Sequence, residues 1–253
     1  MRTLLSGIGK LVSSGALFVL AAGTALPDAF TVSYLAPGVQ TPAGVTTNYE
    51  TFDGQPAGTS LASPFVTTYG GSGYTGTYTG SLLWYAANQY GGAGGAGVYP
   101  EVVDGTSYSL SINPSANYFG VWFSALDAGN LLQFYNGTTL VYTFTPADYI
   151  GLVGGCPGGV YCGNPNAAFL GEDNGQQFAY LNFYDPSGTF NNIVFSEIGF
   201  AGGGFETDNQ AVATLTSAPG GTVLNPVPEP ASLGLAGFVL AFLSFQNRKR
   251  ARR

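Results

Sequence analysis

Apolar residues along this chain fall into two kinds of pattern. A continuous run stands at each end: Leu11 to Ala22, broken by Ser13, Ser14 and Gly15, and Leu233 to Phe245. Between the ends, short strand-like stretches alternate with Gly, Asn, Asp, Pro and Ser, and none sustains a helical apolar period over 11 or more residues. The clearest signal is Leu131 to Tyr135, then Asn136-Gly137, then Thr138 to Phe144. Asn-Gly suits the positive φ angles of a two-residue hairpin turn. A second pair of stretches, Phe178 to Tyr184 and Thr189 to Phe195, flanks Asp185-Pro186-Ser187-Gly188, a turn composition. Further strands are expected at Thr106 to Ile112, Tyr118 to Ser124, Glu197 to Ala201 and Ala211 to Leu215. Many short strands separated by turn signals predict an all-β fold, an antiparallel β-sandwich of jelly-roll-like type, over residues 26–225.

Two aromatic regions stand out within that pattern. Tyr118-Phe119-Gly120-Val121-Trp122-Phe123 is apolar on both strand faces and reads as core. From Tyr69 to Tyr99, six tyrosines are interleaved with Gly-Gly pairs, a density that disfavours regular structure. Some of these rings are expected to pack inward. Trp84 and Tyr85 are the candidates for stacking on a glycan from an adaptable loop.

Charge changes the picture most. All seven Lys and Arg residues sit at positions 2, 10, 248, 249, 250, 252 and 253, and the chain has no His. The span from Leu26 to Asn225 therefore holds 13 acidic residues and no basic one, a formal charge of −13. Nucleic-acid binding, which needs cationic side chains against phosphate, is excluded for this body. So are Ser-His-Asp and Ser-Lys sites, lysine Schiff bases, histidine-ligated zinc and arginine phosphate clamps. Only carboxylate chemistry stays open, of which glycoside hydrolysis is the common form.

Cys156 and Cys162 lie in a glycine-rich stretch, and in an exported chain they are expected to be paired. Glu206, Asp208 and Asn209 offer the oxygen ligands that Ca²⁺ takes, with Glu50 from the expected first strand as their partner across the sandwich. The alternative for all thirteen carboxylates is a dispersed charge, screened over about 8 Å at physiological salt. Asp127 and Asn130 sit between two strands and are expected to organise a turn.

The ends read as addresses. Arg2 and Lys10, the apolar run and Gly23-Thr24-Ala25 have the order of a secretory signal peptide spanning residues 1–25, with cleavage after Ala25 by signal peptidase. At the other end come Val227-Pro228-Glu229-Pro230, an apolar helix expected over residues 231–247 and a basic tail over 248–253. As a helix, the apolar part from Ala231 to Phe245 spans about 22 Å against a hydrocarbon core of about 30 Å, which suits a transient inner-membrane anchor. The basic end predicts a cytoplasmic terminus.

This tripartite tail resembles the PEP-CTERM sorting signal of bacterial surface proteins. The resemblance implies processing by a membrane-embedded exosortase, export through the inner membrane, and a cell-surface or extracellular-matrix destination. Within the body, Tyr118 to Ser124, Asp127, Asn130 and Phe134-Tyr135 resemble a recurring block of an uncharacterised group of exosortase-dependent proteins. Tyr180 to Phe183 and Phe205 to Asn209 resemble two later blocks. The leading expectation is a non-catalytic surface or matrix protein with exopolysaccharide as its neighbour. The alternatives are a calcium-assisted, lectin-like module and, behind it, a carboxylate glycosidase.

Overall fold

Stretches of aromatic and β-branched residues, cut by glycine-rich turns, pair into fifteen strands in two antiparallel sheets among the described residues. The computed structural model describes residues 30–62, 64–199 and 202–224. The signal peptide with Ala25, the Val227, Pro228, Glu229 and Pro230 motif, the expected helix over 231–247 and the basic tail all lie outside the described residues. Among the described residues no helix is long and apolar enough to cross a membrane.

The larger sheet runs, edge to edge, β15 (Thr222–Val223), β1 (Thr31–Tyr34), β12 (Gln177–Tyr184), β9 (Tyr118–Leu126), β14 (Gly204–Ala213), β7 (Val98–Val103), β6 (Leu83–Ala86) and β3 (Thr59–Ser60). A short β2 (Tyr49–Glu50) also pairs with β14. The smaller sheet runs β11 (Thr139–Phe144), β10 (Asn130–Asn136), β13 (Phe190–Glu197), β8 (Ser107–Ala116), β5 (Thr75–Gly80) and β4 (Phe65–Thr67). The expected sandwich is thus present. Among the described strands, the chain crosses between sheets at β3 to β4, β5 to β6, β7 to β8, β8 to β9, β9 to β10, β11 to β12, β12 to β13 and β13 to β14.

The core follows from strand periodicity. Phe119, Val121 and Phe123 of β9 enter the space between the sheets with Phe134, Phe183, Ile193 and Phe195. Phe119 contacts Phe134 at 6.1 Å and Phe195 at 5.9 Å between ring centres, geometries that add about 0.5–1.5 kcal/mol each to simple burial. The opposite face of β9 is buried too. Trp122 packs there with Phe178 and Tyr180 under Leu35, Val39 and Ala93. All nine residues of β9 are buried, as the two-faced apolar pattern predicted.

A polar network bridges the sheets through this core. Gln210 of β14 accepts a hydrogen bond from the Tyr78 hydroxyl at 2.9 Å and donates to Tyr108 at 2.9 Å and Thr207 at 3.0 Å. Tyr69 and Tyr78 hydroxyls meet at 3.2 Å. The tyrosine-rich segment is therefore more regular than its glycine content suggests: it forms β5, β6 and the start of β7, with Tyr69, Tyr78 and Tyr99 fully buried.

The structure refines three sequence expectations. The Asn136-Gly137 hairpin exists, but Asn136 pairs with Thr139, so Gly137 and Thr138 form the turn. Gly137 takes φ 61° at its first position, where a glycine-first turn needs it. The turn expected at Asp185 to Gly188 is present, and it joins different sheets, since β12 and β13 do not pair with each other. Asp185 Oδ1 accepts from the Ser187 and Gly188 amides and turns the chain from one layer to the other. Finally, β13 ends at Glu197, where a strand is expected to begin, and of 211–215 only 211–213 is strand, the end of a longer β14 that already contains Glu206, Asp208 and Asn209.

Cys156 and Cys162 are joined in a disulfide. The short helix α1 (Ala147–Val153) precedes this loop, and the loop is fastened to the start of β12 by Gly163 N to Gln176 O at 3.0 Å and Phe178 N to Tyr161 O at 2.8 Å. A ring this small restricts the unfolded chain by about 2 kcal/mol. Replacing both cysteines with serine is expected to lower stability by no more than that amount, measured by urea unfolding with an unchanged m-value. A loss several times larger would mean that the loop organises the sandwich itself.

Candidate functional site

The outer face of the larger sheet is covered by loops, and a body without cations fastens them with amides. Asp208 Oδ2 accepts from Ala93 N at 2.7 Å, and Asn209 Nδ2 donates to Gln40 O at 2.7 Å. Gln40 Oε1 accepts from Gly94 N, and Gln40 Nε2 donates to Asn166 Oδ1 at 2.9 Å. Asn164 Nδ2 donates to the carbonyls of Asn88 and Gln89. Burial pushes the Asp208 carboxyl up to about 8, against the opposing effect of its two backbone N–H donors.

Beside this clamp, the outer face of β6, β7 and β14 opens into a cleft of about 570 Å³. Its walls include Tyr85, Tyr90 and Tyr99, and its acidic groups are Glu101, Glu206 and Asp127. Register explains the juxtaposition. Tyr85 lies opposite Tyr99 between β6 and β7, with ring centres 6.0 Å apart, and Glu101 lies opposite Glu206 between β7 and β14. Gly204 makes the carboxyl pair sterically possible, since a Cβ there would overlap Glu101 and Glu206. The two carboxyl groups are within hydrogen-bonding contact of one another. Burial raises Glu101 to about 7, partly offset by that contact. Burial, reinforced by the neighbouring Glu101 charge, holds Glu206 well above the ordinary carboxylate range. Like charges directly opposite each other on paired strands are unfavourable, so the pair holds a proton at neutral pH.

The expected site residues are distributed differently from the sequence reading. Trp84 is 2 % exposed and packs in the core against Phe52 and Phe65, so it cannot stack on an external glycan. Strand alternation sends the adjacent Tyr85 to the cleft instead. Glu50 is in β2, not the first strand, and it shares the larger sheet with β14 instead of facing it across the sandwich. Its Oε1 accepts from Phe52 N at 2.8 Å. Asp208 spends both carboxylate oxygens on backbone amides. Glu50, Glu206, Asp208 and Asn209 therefore do not converge as a calcium ligand set. Among the described residues no three or more His, Cys, Asp or Glu side chains are grouped as a metal ion would need.

Asp127 and Asn130 do organise their turn. Asp127 Oδ1 accepts from Gly129 N at 2.7 Å, and Asn130 Oδ1 accepts from Asp127 N at 3.1 Å. Asn130 also donates to Glu197 Oε2 at 2.6 Å, and burial raises Glu197 to about 7. Sequence reasoning missed Glu101 as a site residue. The signal was present in Val98-Tyr99-Pro100-Glu101-Val102-Val103, where a carboxylate interrupts a strand-like run in a chain with no internal cation.

The chain enters this sandwich and leaves it along one edge: Leu224 N donates to Val32 O at 2.8 Å, and β15 pairs with β1. Beyond Leu224 in the sequence, residues 226–250 match the PEP-CTERM protein-sorting motif. The tail is a PEP-CTERM sorting signal. Comparison with curated proteins and with solved structures found no match. The PEP-CTERM match implies processing by exosortase and export to a cell-surface or extracellular destination. It does not extend to the Phe119 to Val212 blocks of the body. Four strand spacings, about 19 Å at 4.8 Å each, separate β15, where the PEP-CTERM tail departs, from the β14 wall of the cleft.

Proposed function

We propose that this exosortase-sorted surface protein is a non-catalytic component of the extracellular matrix that associates with exopolysaccharide. Signal peptidase removes residues 1–25, the PEP-CTERM tail holds the chain in the inner membrane, and exosortase then releases the sandwich. The sorting motif over residues 226–250 is the observation that carries this reading. The chemistry of the body supports its non-catalytic part. The described residues hold no His, Lys or Arg. Two-carboxylate glycosidases keep their acid and nucleophile or base about 5–9.5 Å apart, with room for a sugar, whereas Glu101 and Glu206 are in contact.

Changing Pro228, Glu229 and Pro230 to alanine is expected to leave a longer, membrane-retained protein, detected by mass spectrometry of its C-terminus. Equal maturation of the variant would overturn the processing step. The matrix role is tested by co-fractionation of the processed protein with extracellular polysaccharide, together with an assay for new reducing ends. Release of reducing ends would replace this reading with a glycosidase.

A further inference from the structure

Glu206 is a buried and incompletely satisfied side chain of the cleft. It is 5 % exposed, its Oε2 has no hydrogen-bond partner, and its neighbour is the carboxyl of Glu101. Ser124, opposite Glu206 in register on β9, leaves its Oγ without a partner, and Asp127 leaves Oδ2 without one. Buried oxygens without donors are costly. No side chain within the body can bring a positive charge to them, because it has no basic residue. Apart from the α-amino group of the processed chain, a charged donor has to come from a ligand. The rest of the wall indicates what such a ligand carries. Tyr85 and Tyr90 border the cleft, Tyr90 being 42 % exposed, and tyrosine faces attract cations and pack against flat apolar faces of small rings. A volume of about 570 Å³ is in the range of small-molecule sites.

We propose that the cleft binds a primary ammonium group carried on a hydroxyl-rich ligand, namely an amino sugar with a free amine, through Glu101 and Glu206 with Tyr85 and Tyr90 against the sugar ring. This rests on the polysaccharide-associated reading above and specifies its chemistry. An ammonium group brings three donors and one positive charge, and it takes the place of the shared proton so that both carboxylates can accept from it. An N-acetylated sugar brings a single amide N–H and no charge. A bare divalent cation fits less well, since no third carboxylate is grouped with the pair.

Titration calorimetry of the exported, processed protein with a β-1,4-linked glucosamine oligomer, and with the N-acetylglucosamine oligomer of equal length, tests this. The free-amine oligomer is expected to bind at least about tenfold more tightly, the loss of one charge-assisted hydrogen bond being worth that much. Glu206→Gln, and Glu101→Gln as the less buried replacement, should each weaken amine binding by about tenfold or more while the circular dichroism spectrum is unchanged. Equal affinity for the two oligomers overturns the ammonium assignment and leaves polysaccharide association standing. No binding of the free-amine oligomer, or undiminished binding in both variants, overturns the site. Binding of calcium chloride in place of the amine, lost in both variants, assigns the pair to a metal and overturns the proposal as well.

Discussion

The processed protein should melt at a lower temperature at about pH 8.5 than at about pH 5, by roughly 5–10 °C. Most exported domains keep their acids on the surface, but this one holds several inside. Burial raises Glu101 to about 7 and Asp208 to about 8, and it holds Glu206 well above the ordinary range. The ordinary values are 4.5 for Glu and 3.8 for Asp. A carboxyl whose folded-state value is raised binds its proton more tightly in the native protein than in the unfolded chain. Its contribution is fully present below the unfolded value and is lost as pH rises through the folded value. Stability should therefore decline across the window from about pH 4 to about pH 8. Glu197, Asp208 and Glu206 are buried deeply enough for the shift to translate into stability with little screening, and together they account for a few kcal/mol. Differential scanning fluorimetry across that window checks the slope. An Asp208→Asn and Glu206→Gln double variant should show a flatter profile. A melting temperature that climbs with pH would mean that these carboxylates are stabilised as anions.

Gln210→Leu is expected to cost about 3–5 kcal/mol, lowering the melting temperature by roughly 8–15 °C. Gln210 is fully buried and serves Tyr78, Tyr108 and Thr207 at once. Leucine fills a similar volume, so the loss reports the hydroxyls left short of partners and not a cavity. The Tyr78 hydroxyl keeps Tyr69 and the Tyr108 hydroxyl keeps Thr207, which limits the damage. A double-mutant cycle separates the terms: Tyr78→Phe should cost less in the Gln210→Leu background than in the wild type, because its hydroxyl has already lost its acceptor. Additive losses in urea unfolding, or a Gln210→Leu cost below about 1 kcal/mol, would show that the network does not hold the sheets together.

The sequence made local features legible and left the global pairing hidden. The two-faced apolar run at β9, the hairpin near Asn136 and the cysteine pair were readable because each signal lies within a few residues. Asp185 to Gly188 illustrates the limit. Its composition specifies a turn, but whether a turn returns to the same sheet or crosses to the other depends on partners distant in sequence. Trp84 and Tyr85 show the same limit at the scale of one residue, since alternation separates their directions without saying which faces the core. The residues expected as calcium ligands do not assemble, because spacing along β14 does not reveal that Asp208 is committed to backbone amides. The Glu101–Glu206 pair depends on the register between β7 and β14, which no local pattern encodes.

The loop clamp built from Asn, Gln and backbone amides has a practical consequence. Because fastening the sandwich requires no lysine or arginine, the chain between Lys10 and Arg248 offers trypsin no cleavage site, folded or denatured. Amine-directed labels and lysine cross-linkers find no side chain there either. A surface inventory built on tryptic peptides would pass over this protein however abundant it is, whereas digestion with chymotrypsin or an aspartate- or glutamate-directed protease would reveal it.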